Sequence, residues 1–233
     1  MKKLCIIVPA YNEDTTISKV VVDLIKVFKN SRFNDFQVVV VDDGSKDDTS
    51  AKAAKAGAYV ISHILNMGTG SATATGLSYA QQNGYTLAAT LDADGQHDPK
   101  DVLSGIELME KGYDLLIGSR LIDNQGMSKV KILGNKGLSY ITYILFGINV
   151  TDSQSGLRVF SQRALNELTW KTSGYEFCSE MLWRAKQLGL NINEFPIHVI
   201  YTDYSKQKGQ NNWNAFNIVK VLLKRRIVEL FSE

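Results

Sequence analysis

The sequence contains little that would assign it to a specialised class of protein. Among its 233 residues there are two cysteines, Cys5 and Cys178. They lie far apart, which excludes a metal site built on closely spaced cysteines, and Cys5 falls in an apolar segment typical of a core strand. This cysteine usage suits a reducing cytoplasm. No apolar run approaches the roughly 20 residues that are needed to span a bilayer.

The chain also lacks a strong charge of either sign. The formal net charge is +2 at pH 7, so a general attraction to nucleic acid is not indicated. The apolar stretch after Met1-Lys2-Lys3 is too short for a signal peptide and is interrupted at Pro9. We expect one large domain, with or without a small appendage, that is soluble or lies on a membrane surface.

Apolar segments alternate with helical patterns through the first half of the chain. The apolar segments are short and unbroken, which is typical of strands buried on both faces of a sheet. The predicted strands are Leu4–Val8, Val38–Val41, Tyr59–Ile64, Tyr85–Leu91 and Asp114–Ile117. The helices predicted between them are Thr15–Phe28, Asp47–Ala56, Gly70–Gln82 and Pro99–Lys111. This alternation predicts an α/β fold, with a mostly parallel sheet, helices on both faces and ligands at the carboxyl ends of the strands.

The pattern changes in the second half of the chain. A polar, glycine-containing segment, Leu121–Lys131, predicts a mobile loop. The segment Leu138–Phe146 is apolar nearly all round, which is typical of a helix that is fully buried or touches lipid. Two further strands, Asp152–Phe160 and Ile192–Ile200, are predicted on either side of a helix at Phe177–Gln187.

The last predicted element is an amphipathic helix over Ala215–Phe231. It carries four basic residues beside its apolar ones, namely Lys220, Lys224, Arg225 and Arg226. This pattern fits an interfacial helix on a membrane, and it fits equally well a core-packed terminal helix with a solvated basic face. We therefore expect a main domain over residues 1–212 and a basic amphipathic helix over residues 213–233.

The segment after the central predicted strand carries polar side chains at alternate positions. If the chain stays extended there, Asp92, Asp94 and Gln96 point to the same side. Their hard oxygen atoms suit Mg²⁺ or Mn²⁺ held in part by a diphosphate. Two crowded carboxylates also repel each other unless a cation lies between them. For Asp98, which directly precedes a proline, we prefer the interpretation that it starts the next helix.

Two more acidic residues, Asp42 and Asp43, end the second predicted strand. A carboxylate at this position can accept hydrogen bonds from a nucleobase or a ribose. The alternative is that this segment caps the following helix, with Ser45 or Asp47 as the capping residue. Both interpretations can hold, with Asp42 and Asp43 for the ligand and the later residues for the cap.

Two other strand ends carry weaker signals. Residues 66–72 are rich in glycine and precede a helix, so their backbone could approach a phosphate. Tight helix–sheet packing by Gly70 and Gly76 explains the same pattern. Arg120 places a permanently charged, forked donor after another strand. It could clamp a phosphate or form an ordinary surface salt bridge.

Taken together, these segments resemble family 2 glycosyltransferases of the GT-A fold over essentially the whole chain. The family motifs Pro-x-Tyr-Asn-Glu, Val-Asp-Asp-x-Ser-x-Asp-x-Thr and Asp-x-Asp occur here in order, beginning at Pro9, Val41 and Asp92. The sequence is most similar to the polyprenyl-phosphate sugar synthases, which are similar to dolichol-phosphate mannosyltransferase. Their further motifs match Asp92–Pro99, Gly118–Arg120 and Asp152–Gly156. The resemblance implies a GT-A, Rossmann-like, mostly parallel sheet.

The resemblance also implies a role for the residues at the strand ends. By this resemblance the nucleotide-sugar is bound by Pro9, Tyr11, Glu13, Asp42, Asp43, Asp92 and Arg120. A divalent cation, Mg²⁺ or Mn²⁺, is held by Asp92, Asp94 and Gln96. The candidate catalytic residues are Asp94, Arg120 and Asp152.

The acceptor side is implied by the same resemblance. In the synthases an arginine and a serine four residues later bind the lipid phosphate, and the matching positions here are Lys131 and Asn135. Residues four apart lie on one face of a helix. Ser205 and Lys206 match a segment near the C-terminus that closes over the diphosphate, so Lys206 joins the residues expected to bind the nucleotide-sugar.

The implied activity is metal-dependent, inverting transfer of a sugar from a UDP- or GDP-linked donor to a polyprenyl phosphate, such as undecaprenyl or dolichyl phosphate. The acceptor phosphate is already ionised and needs no general base, so the protein mainly aligns the reactants. One alternative is a family 2 enzyme that glycosylates a saccharide hydroxyl, with Asp152 or Glu180 as the base. Glu180 also fits a buried structural carboxylate. Another alternative is a non-catalytic, receiver-like or scaffolding α/β module.

The implied acceptor predicts where the protein works. We expect a peripheral protein at the cytoplasmic face of the cell membrane. There Lys129, Lys131 and Lys136 would meet the lipid phosphate beside the apolar segment Leu138–Phe146. Because no spanning segment is predicted, a separate membrane protein could anchor it.

Overall fold

The computed structural model describes residues 3–123, 129–200, 220, 221 and 223, with the side chains of residues 129–131 outside the described part. The described strands are β1 Leu4–Ala10, β2 Phe36–Asp42, β3 Tyr59–Ser62, β4 Leu87–Thr90, β5 Leu115–Ser119, β6 Arg158–Ser161 and β7 Ile192–Pro196. The described α-helices are α1 Ile17–Lys29, α2 Thr49–Lys55, α3 Thr69–Gln82, α4 Pro99–Leu108, α5 Lys129–Phe146, α6 Gln162–Glu167 and α7 Phe177–Gln187. A short 3₁₀ helix, Met109–Lys111, extends α4.

The strands form one sheet in the order β3-β2-β1-β4-β6-β5-β7. Neighbouring strands are parallel except at β6, which runs antiparallel to both β4 and β5. The prediction of a mostly parallel sheet is confirmed. Because the parallel strands share one direction, the loops that follow β1, β2, β3, β4 and β5 lie along one edge of the sheet, which is the usual ligand edge of such folds.

Helices cover both faces of the sheet, as predicted. On one face α1, α2 and α4 pack over side chains such as Ile6 and Val40. On the other face α3, α5, α6 and α7 pack over side chains such as Cys5, Ile7 and Val39. Successive residues of a strand thus enter opposite cores, which explains why β1 and β2 are continuous apolar runs. Burial raises the pKa of the Cys5 thiol to about 12, so Cys5 is an inert core side chain.

The helices follow local signals in the sequence. Helix α1 buries Ile17, Val21 and Leu24, which recur at intervals of three and four residues and form one face. Helix α4 begins after Asp98, whose carboxylate accepts a hydrogen bond from the backbone amide of Lys100, and it has proline at its first position. The prediction that Asp98 starts a helix is confirmed.

Three predicted boundaries in the second half are wrong. The strand predicted over Asp152–Phe160 begins only at Arg158, because the preceding residues form a turn whose polar groups bond elsewhere. The strand predicted to reach Ile200 ends at Pro196, since the chain beyond it pairs with the segment before α4. The loop predicted over Leu121–Lys131 extends too far, because helix α5 already includes Lys129.

One helix, α6, has no counterpart among the predicted elements. It is six residues long, and the Ser161 side chain caps it by accepting a hydrogen bond from the Ala164 amide. Such a short helix carries too few turns to show a clear apolar periodicity.

Within the described ranges, no helix is both long and apolar enough to cross a membrane. Of the predicted C-terminal helix Ala215–Phe231, the described residues are Lys220, Val221 and Leu223, and all three are helical. The rest of that helix lies outside the described residues, so the division of the chain near residue 212 stays a prediction.

Candidate active site

The segment between β4 and α4 folds into a tight turn. Gly95 has a φ of +75°, a left-handed conformation that glycine adopts readily. The Asp94 carboxylate accepts hydrogen bonds from the backbone amide of Gln96, at 3.0 Å, and from the Gln96 side-chain amide. The prediction of an extended chain is therefore wrong here, although Asp92 and Asp94 still lie close enough to repel each other electrostatically.

The two carboxylates of this turn differ in how well the protein tolerates their charge. Burial disfavours the charge of Asp92, but the hydrogen bond from His97 and the positive charges of Arg120 and Arg158 outweigh it and lower the pKa of Asp92. Burial, together with the negative charge of Asp92, raises the pKa of Asp94. The second charge is therefore held at an energetic cost, which a divalent cation between the two carboxylates would relieve.

Asp92 is positioned by two neighbours. Nε2 of His97 lies 3.3 Å from Oδ2 of Asp92. Gly156 lies directly against the carboxylate, because a Cβ atom at this position would overlap both carboxylate oxygens. The Thr90 hydroxyl in turn donates to the Gly156 carbonyl at 2.9 Å. The Asp92 side chain is nevertheless 50% exposed, so its carboxylate remains accessible from outside.

The donor set of the turn fits a hard divalent cation. Asp92 and Asp94 offer carboxylate oxygens and Gln96 an amide oxygen, the ligand types that Mg²⁺ and Mn²⁺ prefer. Within residues 3–123 and 129–200, no three His, Cys, Asp or Glu side chains converge into a complete metal site. Two carboxylates and one amide do not complete the octahedral geometry that Mg²⁺ demands, which suits a cation that a second oxygen-rich molecule also binds.

The end of β5 carries a bidentate ion pair. Nε and Nη2 of Arg120 donate to the two carboxylate oxygens of Asp152 at 2.6 and 2.8 Å, and the Arg120 backbone amide donates to the same carboxylate at 3.2 Å. Asp152 is fully buried, whereas 20% of the Arg120 side chain is exposed. Burial opposes the charge of Arg120, but Asp152 outweighs it and raises the pKa of Arg120. Arg120 is therefore a fixed cation with an accessible edge. The salt bridge is present, with a buried rather than a surface partner, and phosphate binding by Arg120 stays a prediction.

A second carboxylate fixes the turn that carries Asp152. Glu194 of β7 accepts hydrogen bonds from the backbone amides of Thr151 and Asp152 at 2.8 and 3.1 Å. The Thr151 hydroxyl also lies 2.6 Å from the Ser119 hydroxyl at the end of β5. Because both oxygens of Asp152 are occupied by Arg120, this carboxylate serves to hold the guanidinium in place.

Arg158 is a site residue that the sequence analysis missed. It is fully buried, and it donates to the carbonyls of Ser155 and Ser153 at 3.1 and 2.9 Å and to the Met181 sulfur at 2.9 Å. None of these partners is a carboxylate, so the charge of Arg158 acts on Asp92 and lowers its pKa. A single arginine at the start of an apolar strand gives no sequence signal for this role.

The loop after β1 packs against the loop after β2. Asn12 has a φ of +53°, its backbone amide donates to the Ser45 hydroxyl at 2.9 Å, and its side-chain oxygen accepts from the Lys46 amide at 2.9 Å. The Glu13 amide donates to the Thr49 hydroxyl at 2.8 Å. The left-handed conformation is uncommon for residues other than glycine, and here the hydrogen bonds with Ser45 and Lys46 fix it.

The residues predicted to bind the nucleoside share this edge of the sheet. Pro9 lies near the end of β1, Tyr11 follows the strand and is 38% exposed, and Glu13 lies just before α1. The sequence analysis assigned no role to Asn12, although it lies inside the same motif. An asparagine in a turn motif was the only available signal for its left-handed conformation.

Asp42 is buried and bonded within its own loop. It accepts hydrogen bonds from the backbone amide of Ser45 at 3.0 Å and from the Ser50 hydroxyl. Asp47 accepts from the backbone amide of Thr49, the first residue of α2, at 3.0 Å. The N-cap residue of α2 is Asp48, whose side chain makes no capping hydrogen bond, so the prediction of Ser45 or Asp47 as the capping residue is wrong, although Asp47 does bond to the first amide of the helix. Direct binding of a nucleoside by Asp42 stays a prediction.

Asp43 is buried and holds the loop that follows β3. Its carboxylate accepts hydrogen bonds from the backbone amides of Met67 and Gly68 at 2.9 and 2.7 Å, and it lies 2.7 Å from Nδ1 of His63. These amides belong to the glycine-rich segment that could have approached a phosphate. A protein carboxylate occupies them instead, and nucleoside binding by Asp43 stays a prediction.

The glycines of α3 serve close packing. The Gly70 amide donates to the Ser173 carbonyl at 2.7 Å, and a Cβ atom on Gly70 would lie 2.7 Å from the Thr172 carbonyl oxygen. A Cβ atom on Gly76 would overlap the Ile7 side chain of β1. The packing interpretation is therefore confirmed, with the loop before α7 as a partner in addition to the sheet.

Helix α5 carries the residues predicted to bind the acceptor phosphate. Asn135 is half-buried and Lys136 is exposed. Lys131 belongs to the helix, but its side chain lies outside the described part. Ser205 and Lys206 also lie outside the described residues. The acceptor site and the role of Lys206 therefore stay predictions.

A buried polar cluster joins α5 to the turn before β6. The Ser139 hydroxyl accepts a hydrogen bond from the Ser153 backbone amide at 3.0 Å. The Thr142 hydroxyl lies 2.9 Å from the hydroxyl of Ser179, which also accepts from the Gln154 side-chain amide at 3.2 Å. These contacts fix the position of α5 relative to the turn that carries the Arg120 partner.

Glu180, the other candidate base, has a structural role. It is buried, and its two carboxylate oxygens accept hydrogen bonds from the backbone amides of Lys171 and Thr172 at 3.1 and 2.8 Å. This carboxylate thus fixes the loop before α7, as the structural interpretation predicted.

Known proteins are similar to this chain in sequence and in fold. The model of the family described as "Glycosyl transferase family 2" matches residues 5–169. An uncharacterized protein of Methanocaldococcus jannaschii is 43% identical over 97% of this chain and 93% of its own length. The UDP-N-acetylglucosamine–dolichyl-phosphate N-acetylglucosaminyltransferase of Methanococcus voltae is 40% identical over 95% of each chain.

Among solved structures, the glucosyl-3-phosphoglycerate synthase of Mycobacterium tuberculosis, in complex with Mn²⁺, UDP-glucose and phosphoglyceric acid, superposes with a TM-score of 0.71. It is 21% identical over 97% of this chain and 80% of that chain. At this level of identity the similarity shows a common fold.

Proposed function

The chain belongs to glycosyl transferase family 2, and on that basis we propose that it transfers a sugar from a nucleotide-sugar to a polyprenyl phosphate. The relative from Methanococcus voltae is named for a UDP-linked donor and a dolichyl-phosphate acceptor. Its 40% identity over nearly the full length of both chains supports the same classes of donor and acceptor here.

The observation that carries this proposal is that both carboxylates considered as a general base already accept hydrogen bonds within the protein. Asp152 is paired with Arg120 through both oxygens, and Glu180 is bonded to two backbone amides. A hydroxyl acceptor needs a base to remove its proton. A phosphate monoester is already ionised near neutral pH and needs none. The geometry therefore favours a phosphate acceptor over a saccharide hydroxyl.

On the donor side, the nucleoside would lie at the edge formed by the loops after β1 and β2, near Pro9, Tyr11 and Glu13. Asp92, Asp94 and Gln96 would hold a divalent cation, and a bound Mg²⁺ or Mn²⁺ would neutralise the departing diphosphate. The exposed edge of Arg120, fixed by Asp152, would stabilise the same negative charge, and Lys206 would add to it.

On the acceptor side, Lys131 and Asn135 would orient the lipid phosphate. One of its oxygens attacks the anomeric carbon, and the bond from that carbon to the diphosphate oxygen breaks on the opposite side. This single displacement inverts the configuration at the anomeric carbon, and no proton has to be transferred. The work of the side chains is therefore to align the reactants and to bind the charge that develops.

We also propose that α5 lies against the membrane at the cytoplasmic face. One side of the described part of this helix is apolar and exposed, namely Leu133 74%, Tyr140 64%, Tyr143 50% and Ile144 61%. The other side is buried and contacts α7 and the turn before β6, and it consists of Leu138, Ser139, Thr142 and Phe146. Tyrosine is enriched where proteins meet the membrane interface, and a lipid acceptor has to enter from such a surface. The basic helix over residues 213–233, or a separate anchoring protein, could add to this attachment.

A transfer assay tests the proposed function. The protein is incubated with Mn²⁺, undecaprenyl phosphate and radiolabelled UDP- or GDP-sugars, and the lipids are extracted into butanol. We expect label in the butanol phase for one donor, and its loss in Asp94→Asn or without the cation. Undecaprenol, which lacks only the phosphate, is the matched acceptor control and should stay unlabelled. Transfer to undecaprenol or to a soluble saccharide in place of the lipid phosphate would contradict the proposal.

A further inference from the structure

We propose that His97 is a positioning residue that holds Asp92 in the orientation in which it binds a divalent cation. The inference rests on the proposed function only in requiring a cation at this turn. It extends the proposal to a residue that contacts Asp92 and to which the sequence analysis gave no role.

The imidazole of His97 is fixed within the protein. Its side chain is 4% exposed, and its Nε2 lies 3.3 Å from Oδ2 of Asp92. The backbone of His97 forms a bridge with Val199, and the neighbouring Gln96 carbonyl accepts a hydrogen bond from the Ile200 amide at 2.9 Å. The chain that follows β7 thus holds the segment that carries the imidazole.

The surroundings of the ring favour a hydrogen on Nε2. Among the described residues, Nδ1 of His97 is buried and has no hydrogen-bond partner. A hydrogen on Nδ1 would be a buried donor without an acceptor, and it would leave the lone pair of Nε2 facing a carboxylate oxygen. A hydrogen on Nε2 removes both penalties. His97 is therefore a donor toward Asp92.

This single hydrogen bond limits the movement of the Asp92 carboxylate. It occupies one lone pair of Oδ2, while the backbone of Gly156 lies directly against the carboxylate. The remaining lone pairs are left for a cation. Groups that orient a metal ligand in this way commonly contribute 10- to 100-fold to metal affinity.

The substitutions His97→Gln and His97→Asn both introduce a polar amide, but only glutamine places its nitrogen where it can replace the hydrogen bond of Nε2. The side-chain nitrogen of glutamine is as many bonds from Cβ as Nε2 of histidine, whereas that of asparagine corresponds to Nδ1. We expect His97→Gln to bind Mn²⁺ within about threefold of the wild type. We expect His97→Asn and His97→Leu to bind it roughly 10- to 100-fold more weakly. The Kd for Mn²⁺ is measured by electron paramagnetic resonance with saturating UDP, and thermal unfolding in EDTA checks that each variant is folded.

The outcomes distinguish this inference from the proposed function. Wild-type affinity in His97→Asn would overturn the positioning role, and so would equal weakening in His97→Gln and His97→Asn, which would indicate a packing role. A wild-type protein that binds no Mn²⁺ would overturn the inference as well. If Mn²⁺ binds as expected but no labelled lipid forms, only the proposed acceptor fails.

Discussion

Asp92 and Asp94 are separated by one residue, and the protein stabilises the negative charge of the first but not of the second. His97, Arg120 and Arg158 lower the pKa of Asp92, whereas burial and the negative charge of Asp92 raise the pKa of Asp94. A raised pKa in the folded protein means that the native state prefers the neutral form of Asp94. Its ionised form therefore destabilises the metal-free protein above that pKa, and the penalty disappears as the pH falls through it.

The first prediction concerns the substitution Asp94→Asn in the metal-free protein. Asparagine keeps an acceptor for the Gln96 backbone amide and removes the charge, so we expect Tm in EDTA at neutral pH to rise by about 2–4 °C, which corresponds to about 1 kcal/mol in a domain of this size. The difference from the wild type should shrink as the pH is lowered, and Mn²⁺ binding should be lost. Differential scanning calorimetry between pH 4 and 8 measures the first two effects.

The matched control for this substitution is Asp92→Asn. Because the neighbours of Asp92 favour its charge, removing that charge should lower Tm under the same conditions. A change of the same sign in both variants would mean that the two carboxylates do not differ in the way described here.

At the scale of elements, the turn between α5 and β6 connects the parts of the site. Three successive residues of this turn form hydrogen bonds to other elements: Asp152 to Arg120, Ser153 to Ser139 of α5, and Gln154 to Ser179 of α7. Gly156 of the same turn lies against the Asp92 carboxylate. A helix placed against a membrane would thus be linked directly to the cation-binding turn.

The second prediction concerns the exposed face of α5. Ile144 is 61% exposed, so Ile144→Glu should leave Tm nearly unchanged while it weakens binding to vesicles that contain anionic lipid, by about tenfold, because a charge replaces apolar surface at the interface. Co-sedimentation with such vesicles measures the effect. Val22 is 50% exposed on α1, on the opposite face of the sheet, and Val22→Glu is the matched control. An equal loss of vesicle binding in Val22→Glu would rule out α5 as the specific contact.

At the scale of the whole molecule, the parallel half of the fold could be predicted because its signals are local. The unbroken apolar run of β1 and the Asp98-Pro99 start of α4 depend on neighbours in sequence, and both were placed correctly. The order of the strands, with β6 inserted antiparallel between β4 and β5, depends on pairings between distant segments. No periodicity within one segment contains that information.

The site follows the same division. The sequence placed Asp92, Asp94 and Arg120 at strand ends, since each lies in a short motif directly after an apolar run. It could not reveal that Asp43 bonds to the next loop or that His97 and Arg158 act on Asp92, because each of these contacts depends on the folded geometry. The strand predicted through residues 152–157 failed for the same reason, since their polar groups bond to distant residues.

The most direct test of the central claim is a crystal structure of the protein grown with UDP and Mn²⁺, with anomalous diffraction data to locate the cation. We expect one anomalous peak at the turn between β4 and α4, at about 2 Å from oxygens of Asp92 and Asp94 and from the diphosphate. A nucleotide bound with its cation elsewhere, or these two carboxylates turned away from the diphosphate, would contradict the account.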